Sequence, residues 1–520
     1  MRIAWATLVL PLPALIPLVN SCLVPYRKGL VPTGFVEYDM PYYMANAREH
    51  FDQGFQLTYG NPYAPYGTPA IYSQPHILLL AFLQRLGLHP GVAFNLFGLA
   101  ALFFAAWVAV RFYQEAVGLE TPSKKLGLVC FFWGGGILSA SGLAHGLSNH
   151  LVTWQSSLMF DPADGWWMLN FGRNLVYPTE AYYHGAFLLS LLLLMQRRFV
   201  ASLALAVLLS WSHPFCGLSL ALILTVYAAV ELVLRSQAVK LVTLIGAALL
   251  VACHLGYYWV FLNRFSDHRA VQAQWALGWL YGPKVYLRAL CIVGLLAIIR
   301  FIRPPGLRPA LTDSRVRLFL VWFTVVFALT QHNLVRKPLQ PIHFAHGYDW
   351  MALFFLGAPA LIWLLDRLLA IPSVPLRPVA VAMLLTIILF DNIVWFASFM
   401  GPSTISRELA ISKDQNGVLA WLNKNAAPPE MVVCQDWMVS YLINTYTPVR
   451  TWYGHFFNTP NMAARGKEVE DAFQKEQFLP EWRRMHILYV APRTGWNPPA
   501  NATALFSNGS FTVWEALPSS

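Results

Sequence analysis

The chain has 520 residues, of which 57% are hydrophobic and only 12% charged, with a net charge of +11. A soluble domain carries about 25% charged residues, so the composition excludes one and indicates a protein that crosses a membrane many times. The positive charge does not indicate nucleic acid, because Lys and Arg fall in short clusters between apolar runs, as the positive-inside rule describes. Six cysteines are scattered without a C-x-x-C pair, which argues against both a disulfide framework and a zinc site.

Residues 3–23 are apolar behind a single Arg2 and long enough to span. They are read as a retained first helix rather than a cleaved signal. A loop rich in Tyr, Pro and Gly follows and carries Glu37-Tyr38-Asp39. Two carboxylates two residues apart beside a membrane helix can take a proton or hold a divalent cation. The plain alternative is a pair of solvated loop acids. Residues 76–87 are apolar but below spanning length and are read as a helix lying in the interface. The next spans are read at about 91–112, 126–146, 182–196, 199–213, 217–235, 239–262, 284–302, 317–331, 349–366 and 376–398. With the first they make about eleven.

Charge sets the orientation. If the loop of Glu37 and Asp39 is outside, the inner loops hold Arg111, Lys124 and Lys125, then Arg197 and Arg198, then Arg235 and Lys240, then the run from Arg300 to Arg317, then Arg367 and Arg377. The outer loops hold far fewer basic residues. The positive-inside rule therefore places the acid loop and the tail beyond 400 outside.

The outer loop 147–181 carries Asp161-Pro-Ala-Asp164, Arg173, and Glu180 with His184. The last two are i,i+4 and share one helix face if helical; a satisfied capping pair would look the same. The loop after residue 331 carries Arg336-Lys337 and His343-x-x-His346. Its cations and histidines suit a phosphate carried on a lipid, and snorkelling to headgroups would use the same residues. Ionisable residues within the spans are few: His213, His254 and Asp391, the last roughly 10 Å deep at about 1.5 Å per residue. A buried aspartate at that depth is a functional candidate or a helix–helix hydrogen-bond partner.

Residues 400–520 lose the membrane pattern. They read as helix 413–425, strand 430–434, helix 437–444, strand 448–452, a polar helical stretch to about 484, strand 487–490 and a hairpin 504–514 turning at Asn508-Gly509. This is a small α/β domain. The expected fold is thus an all-α polytopic membrane domain over 1–399, with large outer loops 24–90 and 147–181, followed by an extracytoplasmic α/β domain over 400–520.

Three features resemble the GT-C membrane glycosyltransferases: the acidic motif Glu37-Tyr38-Asp39 in the first outer loop, the interfacial helix near 76–87, and a many-span core followed by an outward domain. Asp39-x-Pro-Tyr-Tyr43-Met-Ala and Arg450-Thr-Trp-Tyr-Gly454-His455 are similar to pieces of uncharacterised prokaryotic members. The resemblance implies sugar transfer, with inversion, from a polyprenyl-phosphate-linked sugar to an acceptor at the outer face of the plasma or inner membrane. Asp39 would then be the base and Glu37 its partner or alternate. Arg173, Glu180, His184, Arg336, Lys337, His343 and His346 would bind substrate and donor phosphate. Members differ in needing a divalent cation such as Mg or Mn, so the metal stays open, as do the sugar and the acceptor. The alternatives are a transporter or flippase of a lipid-linked sugar, which needs polar groups through the membrane depth, and a non-catalytic scaffold.

Overall fold

The computed structural model describes residues 3–52, 54–161, 169–236, 239–275, 280–304, 306–400 and 409–518. Asp164 lies outside them. The chain packs as two units. The first comprises Met1–Pro17, Gly98–Tyr257 and Ala276–Pro402; the second comprises Leu18–Phe97, Tyr258–Trp275 and Ser403–Ser520.

The first unit is helical. Among the described residues of the whole chain, seven helices are long and apolar enough to cross a membrane, or eight if one bent pair counts as a single span. The expected count of about eleven is not reached by that measure. The other three expected spans fall on Pro178–Met195, Phe199–Ser212 and Ser314–Thr330. Phe199–Ser212 has 14 residues and Ser314–Thr330 has 17, both short for a hydrocarbon core about 30 Å thick. Pro178–Met195 opens on the polar sequence Pro-Thr-Glu-Ala-Tyr-Tyr-His.

The segment expected as one span over 126–146 is instead two helices, Pro122–Trp133 and Leu138–Ser148, bent by 65°. A break exposes backbone groups that apolar surroundings cannot satisfy, and here each amide from 134 to 139 has a partner. Gly134 N–H donates to Cys130 O, Gly135 N–H to Ile388 O and Ile137 N–H to Arg288 O. Asp391 takes the rest. Its Oδ2 accepts from the amides of Gly136 (2.9 Å) and Leu138 (3.2 Å), and its Oδ1 accepts from Ser139 (2.8 Å). Asn392 Nδ2 donates to the freed carbonyls of Trp133 and Gly134. Small residues are required here, since a Cβ on Gly135 would lie 2.7 Å from the Asp391 Cβ. Asp391, a candidate for a transport path on sequence grounds, is thus the acceptor that holds a helix break.

The second unit is built on a five-stranded sheet. Its strands lie in the order 450–451, 431–434, 487–492, 511–516, 502–507. The first three are mutually parallel, and the last two pair antiparallel as a hairpin. Local chemistry fixes its elements. Ser412 and Gln415 form a capping box that starts helix Lys413–Asn425. Asp436 caps Trp437–Tyr446 through the Val439 amide. The Asn508 carboxamide oxygen accepts from Ser510 and Phe511 N–H to close the hairpin.

The tail packs with residues of the first loop. Val31–Pro32 pairs antiparallel with Ala410–Ile411. Ala45 and Tyr63 are buried in the same apolar core as Val418, Leu422, Val432, Leu442 and Val490. The first loop therefore belongs to the unit of the tail. Within that unit, residues 75–85 form an eleven-residue helix, about 16 Å long at 1.5 Å per residue and too short to span.

Asp391→Ala would strand three buried amides. Bonds to a charged acceptor contribute about 1.5–3 kcal/mol each, so the expected loss of stability is at least about 3 kcal/mol. Asp391→Asn, which keeps one acceptor oxygen, should lose less. Tryptophan-detected unfolding of the detergent-solubilised protein measures both, and a wild-type midpoint for Asp391→Ala would refute this role.

Candidate functional site

The expected residues sort into the two units. Glu37 and Asp39 lie in the unit of the tail. Arg173, Glu180, His184, Arg336, Lys337, His343 and His346 lie in the helical unit.

Helix Met40–Glu49 begins at Asp39, which is its N-cap by position yet makes no side-chain cap bond. The carboxylate instead pairs with His455, with Oδ1 3.1 Å from Nε2. The His455 side chain is 1% exposed and that of Asp39 is 31% exposed. Two donors fix the imidazole tautomer. The Phe457 amide donates to Nδ1 at 3.1 Å, and Asn458 Nδ2 lies 3.1 Å from the same atom. Since Nδ1 must accept, the proton sits on Nε2 and points at Asp39. An oriented and partly exposed acid results.

Glu37 lies directly beside Asp39. Its Oε2 accepts from the Asp39 amide at 3.0 Å, so its carboxylate shapes the turn that presents Asp39. Tyr38 locks that turn to the tail. Its ring stacks on Trp437 and Tyr441 at 5.7 and 4.7 Å, its phenol oxygen accepts from the Phe456 amide at 2.6 Å, and Tyr441 Oη donates to its carbonyl. Burial pushes the Tyr38 phenol well above its usual range, against the Phe456 bond and with help from the Asp39 charge. Burial likewise pushes Tyr42 up to about 12. Both phenols are therefore neutral at physiological pH and serve as walls and hydrogen-bonding groups.

The far end of the same helix carries a second tie. Glu49 Oε2 accepts from Arg450 NH2 at 2.5 Å, with both side chains nearly buried. Arg450 NH1 also donates to the carbonyls of Ala64 and Pro65, and the guanidinium lies 4.9 Å above the Tyr66 ring. Sequence reasoning gave Arg450 and His455 no role. The only signal was their shared stretch Arg450-Thr-Trp-Tyr-Gly454-His455, whose partners lie some four hundred residues away and are not visible in the chain order.

In the helical unit Glu180, His184 and His346 come together. Glu180 Oε1 is 3.0 Å from His346 Nδ1, and Oε2 is 3.7 Å from His184 Nδ1. His184 also bonds through Nδ1 to Glu180 O and through Nε2 to His346 O, each at 2.8 Å, so both ring nitrogens are engaged. His346 and Gly347 are successive left-handed residues before helix Tyr348–Leu369. For a non-glycine residue this is a strained conformation. A Cβ on Gly347 would approach the Asn170 carbonyl to 2.6 Å, so only glycine fits there. His343 stacks on Phe215 at 4.9 Å and lies 5.3 Å from the His346 ring. His213, expected only as an in-span polar residue, caps its own helix through the Cys216 amide.

Arg173 is placed elsewhere in that unit. Its Nε donates to Asn392 at 2.7 Å, NH2 donates to Asp391 O at 3.0 Å and NH1 pairs with Asp161, all buried. Its guanidinium thus braces the helix break. Arg336 and Lys337 are exposed. Among the described residues no group of three or more His, Cys, Asp or Glu is gathered for a metal ion. Two of the four carboxylate oxygens of Glu37 and Asp39 are engaged within the protein, Glu37 Oε2 by a backbone amide and Asp39 Oδ1 by His455. No protein-family model matches the chain, and no curated protein matches it.

Two outcomes test this geometry. Arg450→Met would leave Glu49 buried without its partner, at an expected cost of about 3–5 kcal/mol. Adding Glu49→Gln should recover much of it, which a double-mutant unfolding cycle would show. His268, buried and bonded to Tyr72 Oη at 3.0 Å, has its pKa lowered by burial to about 4. Its neutral form is the one that fits the fold, so its contribution is complete above about 6.5 and is lost as pH falls from there toward 4. The expected loss is about 3 kcal/mol. His268→Gln should remove that part of the acid dependence; an unchanged profile of stability against pH would exclude it.

Proposed function

We propose that the protein is a glycosyltransferase that moves a sugar from a polyprenyl-phosphate donor to an acceptor at the outer face of the membrane, with Asp39 as the general base. In this reading the chain has eleven spans, helices Pro178–Met195, Phe199–Ser212 and Ser314–Thr330 completing the set, and residues 400–520 lie outside. The observation that carries the proposal is the Asp39 carboxylate, partly exposed and aimed by the Nε2–H of a buried His455.

The chemistry follows from that arrangement. With Oδ1 held by His455, Oδ2 takes the proton of an acceptor hydroxyl as its oxygen attacks the anomeric carbon. The bond to the donor phosphate breaks on the opposite face, so configuration inverts, and the polyprenyl phosphate leaves with the electron pair. His455 is a positioning residue that keeps the base oriented. The transporter alternative is less well supported, because its candidate groups are bonded within the fold: Asp391 to backbone amides, His254 to Ser210 at 2.6 Å and His213 to Cys216 N–H.

General-base catalysis contributes about 10²–10⁴-fold. Asp39→Asn keeps an oxygen for His455 and should fold, yet it should lose at least about a hundredfold of transfer from polyprenyl-phosphate-linked hexoses or pentoses in membranes. His455→Gln should lose less and shift the pH profile of the remaining rate. Full transfer by Asp39→Asn at wild-type protein level would remove the proposal.

A further inference from the structure

Helix Met40–Glu49 separates two polar places. Asp39 stands at its start, and Glu49 stands about 15 Å further along at 1.5 Å per residue. At the Glu49 end is a cavity of about 190 Å³ lined by Glu49, Arg450, Gln56, Gly60, Thr68 and Ala70, among others. Glu49, Gly60 and Arg450 form the deep part, and Gln56 and Ala70 are exposed at the rim.

The lining specifies the ligand. Glu49 and Arg450 are paired at 2.5 Å and cancel each other's charge. A charged ligand would leave one of two nearly buried ions uncompensated, which is costly; an apolar one would cover both without bonding to either. A carboxylate only accepts and a guanidinium only donates, whereas the Thr68 hydroxyl and the Gln56 amide do both. The matching chemistry is a neutral molecule with several hydroxyls, each able to donate to Glu49 and accept from Arg450. The volume equals that of roughly six waters at ~30 Å³ each, which suits a single sugar ring. A Cβ at Gly60 would make only ordinary contacts, 3.5 Å from Glu49 Oε2 and 3.7 Å from the Thr68 carbonyl, so Gly60→Ala is a mild change to the lining.

We infer that the Glu49–Arg450 cavity is a binding site for one neutral pyranose residue. It lies away from the reacting carboxylate and would hold a remote part of the acceptor. That use rests on the transfer reading; the binding itself does not. Binding energy from a part of the substrate that does not react can be used to position the part that does.

The test uses the full-length protein in detergent and saturation-transfer NMR. The probes are the methyl glycosides of glucose, mannose and galactose, with methyl glucuronide as the anionic comparison. At least one neutral glycoside should bind with a dissociation constant on the order of 1 mM. Ala70→Trp, a rim change that leaves the core untouched, should weaken it at least tenfold, and Gly60→Ala should weaken it less. Asp39→Asn should leave it unchanged. Absence of any neutral glycoside signal, tighter binding of the glucuronide, or a signal that survives in folded Ala70→Trp would each overturn the inference. If Asp39→Asn keeps full transfer while glycosides still bind at the cavity, the transfer reading fails and the cavity stands. If transfer depends on Asp39 and no glycoside binds, the reverse holds.

Discussion

Backbone polar groups removed from water must find partners, and this requirement organises the helical unit. The break between Trp133 and Leu138 frees amides and carbonyls in an apolar setting. Asp391 accepts from three of the amides, and Asn392 donates to the carbonyls. Arg173 then bonds to both Asn392 and the Asp391 carbonyl and pairs with Asp161. Buried Asp391, Asn392, Arg173 and Asp161 are all tied to this one bend, so a buried polar side chain is not by itself a sign of transport.

In the other unit two side-chain pairs do the equivalent, one a hydrogen bond from a histidine and one an ion pair. Helix Met40–Glu49 is held at its two ends by Asp39–His455 and Glu49–Arg450. The second pair is nearly buried and further bonded to Ala64 and Pro65, so it fixes the loop to the sheet edge. The first pair is buried only on the histidine side, which leaves the acid oriented and accessible. The two pairs thus differ in exposure, one nearly buried on both sides and the other with an accessible carboxylate.

The tail was legible almost element by element. Helix 413–425 was expected and is observed at Lys413–Asn425, and the Asn508-Gly509 hairpin closes where its turn residues indicated. Those features are local: caps, turns and alternating apolar residues lie within a few positions of one another. The segment expected as a span over 126–146 is a bent helix pair rather than one continuous helix, with Gly134-Gly-Gly136 at the break. Hydropathy averages over the run and does not register that three glycines let a carboxylate from residue 391 reach the backbone. Arg173 was misplaced for a related reason. Its position in an outer loop suggested a phosphate, while its partners Asp161, Asn392 and the Asp391 carbonyl are set by packing.

Composition and periodicity alone determined that the chain is a membrane protein with a mixed α/β tail, because apolar length and alternation are properties of neighbouring residues. They also singled out Glu37-Tyr38-Asp39 and the Glu180/His184 spacing. Only the tertiary structure decided what those residues do. His455 orients the Asp39 carboxylate, Glu37 becomes the acceptor for its neighbour's amide, and both His184 nitrogens are taken up by main-chain carbonyls. Each of those outcomes depends on a donor or acceptor supplied from elsewhere in the chain or from the backbone, and a hydrogen bond has no signature in sequence separation.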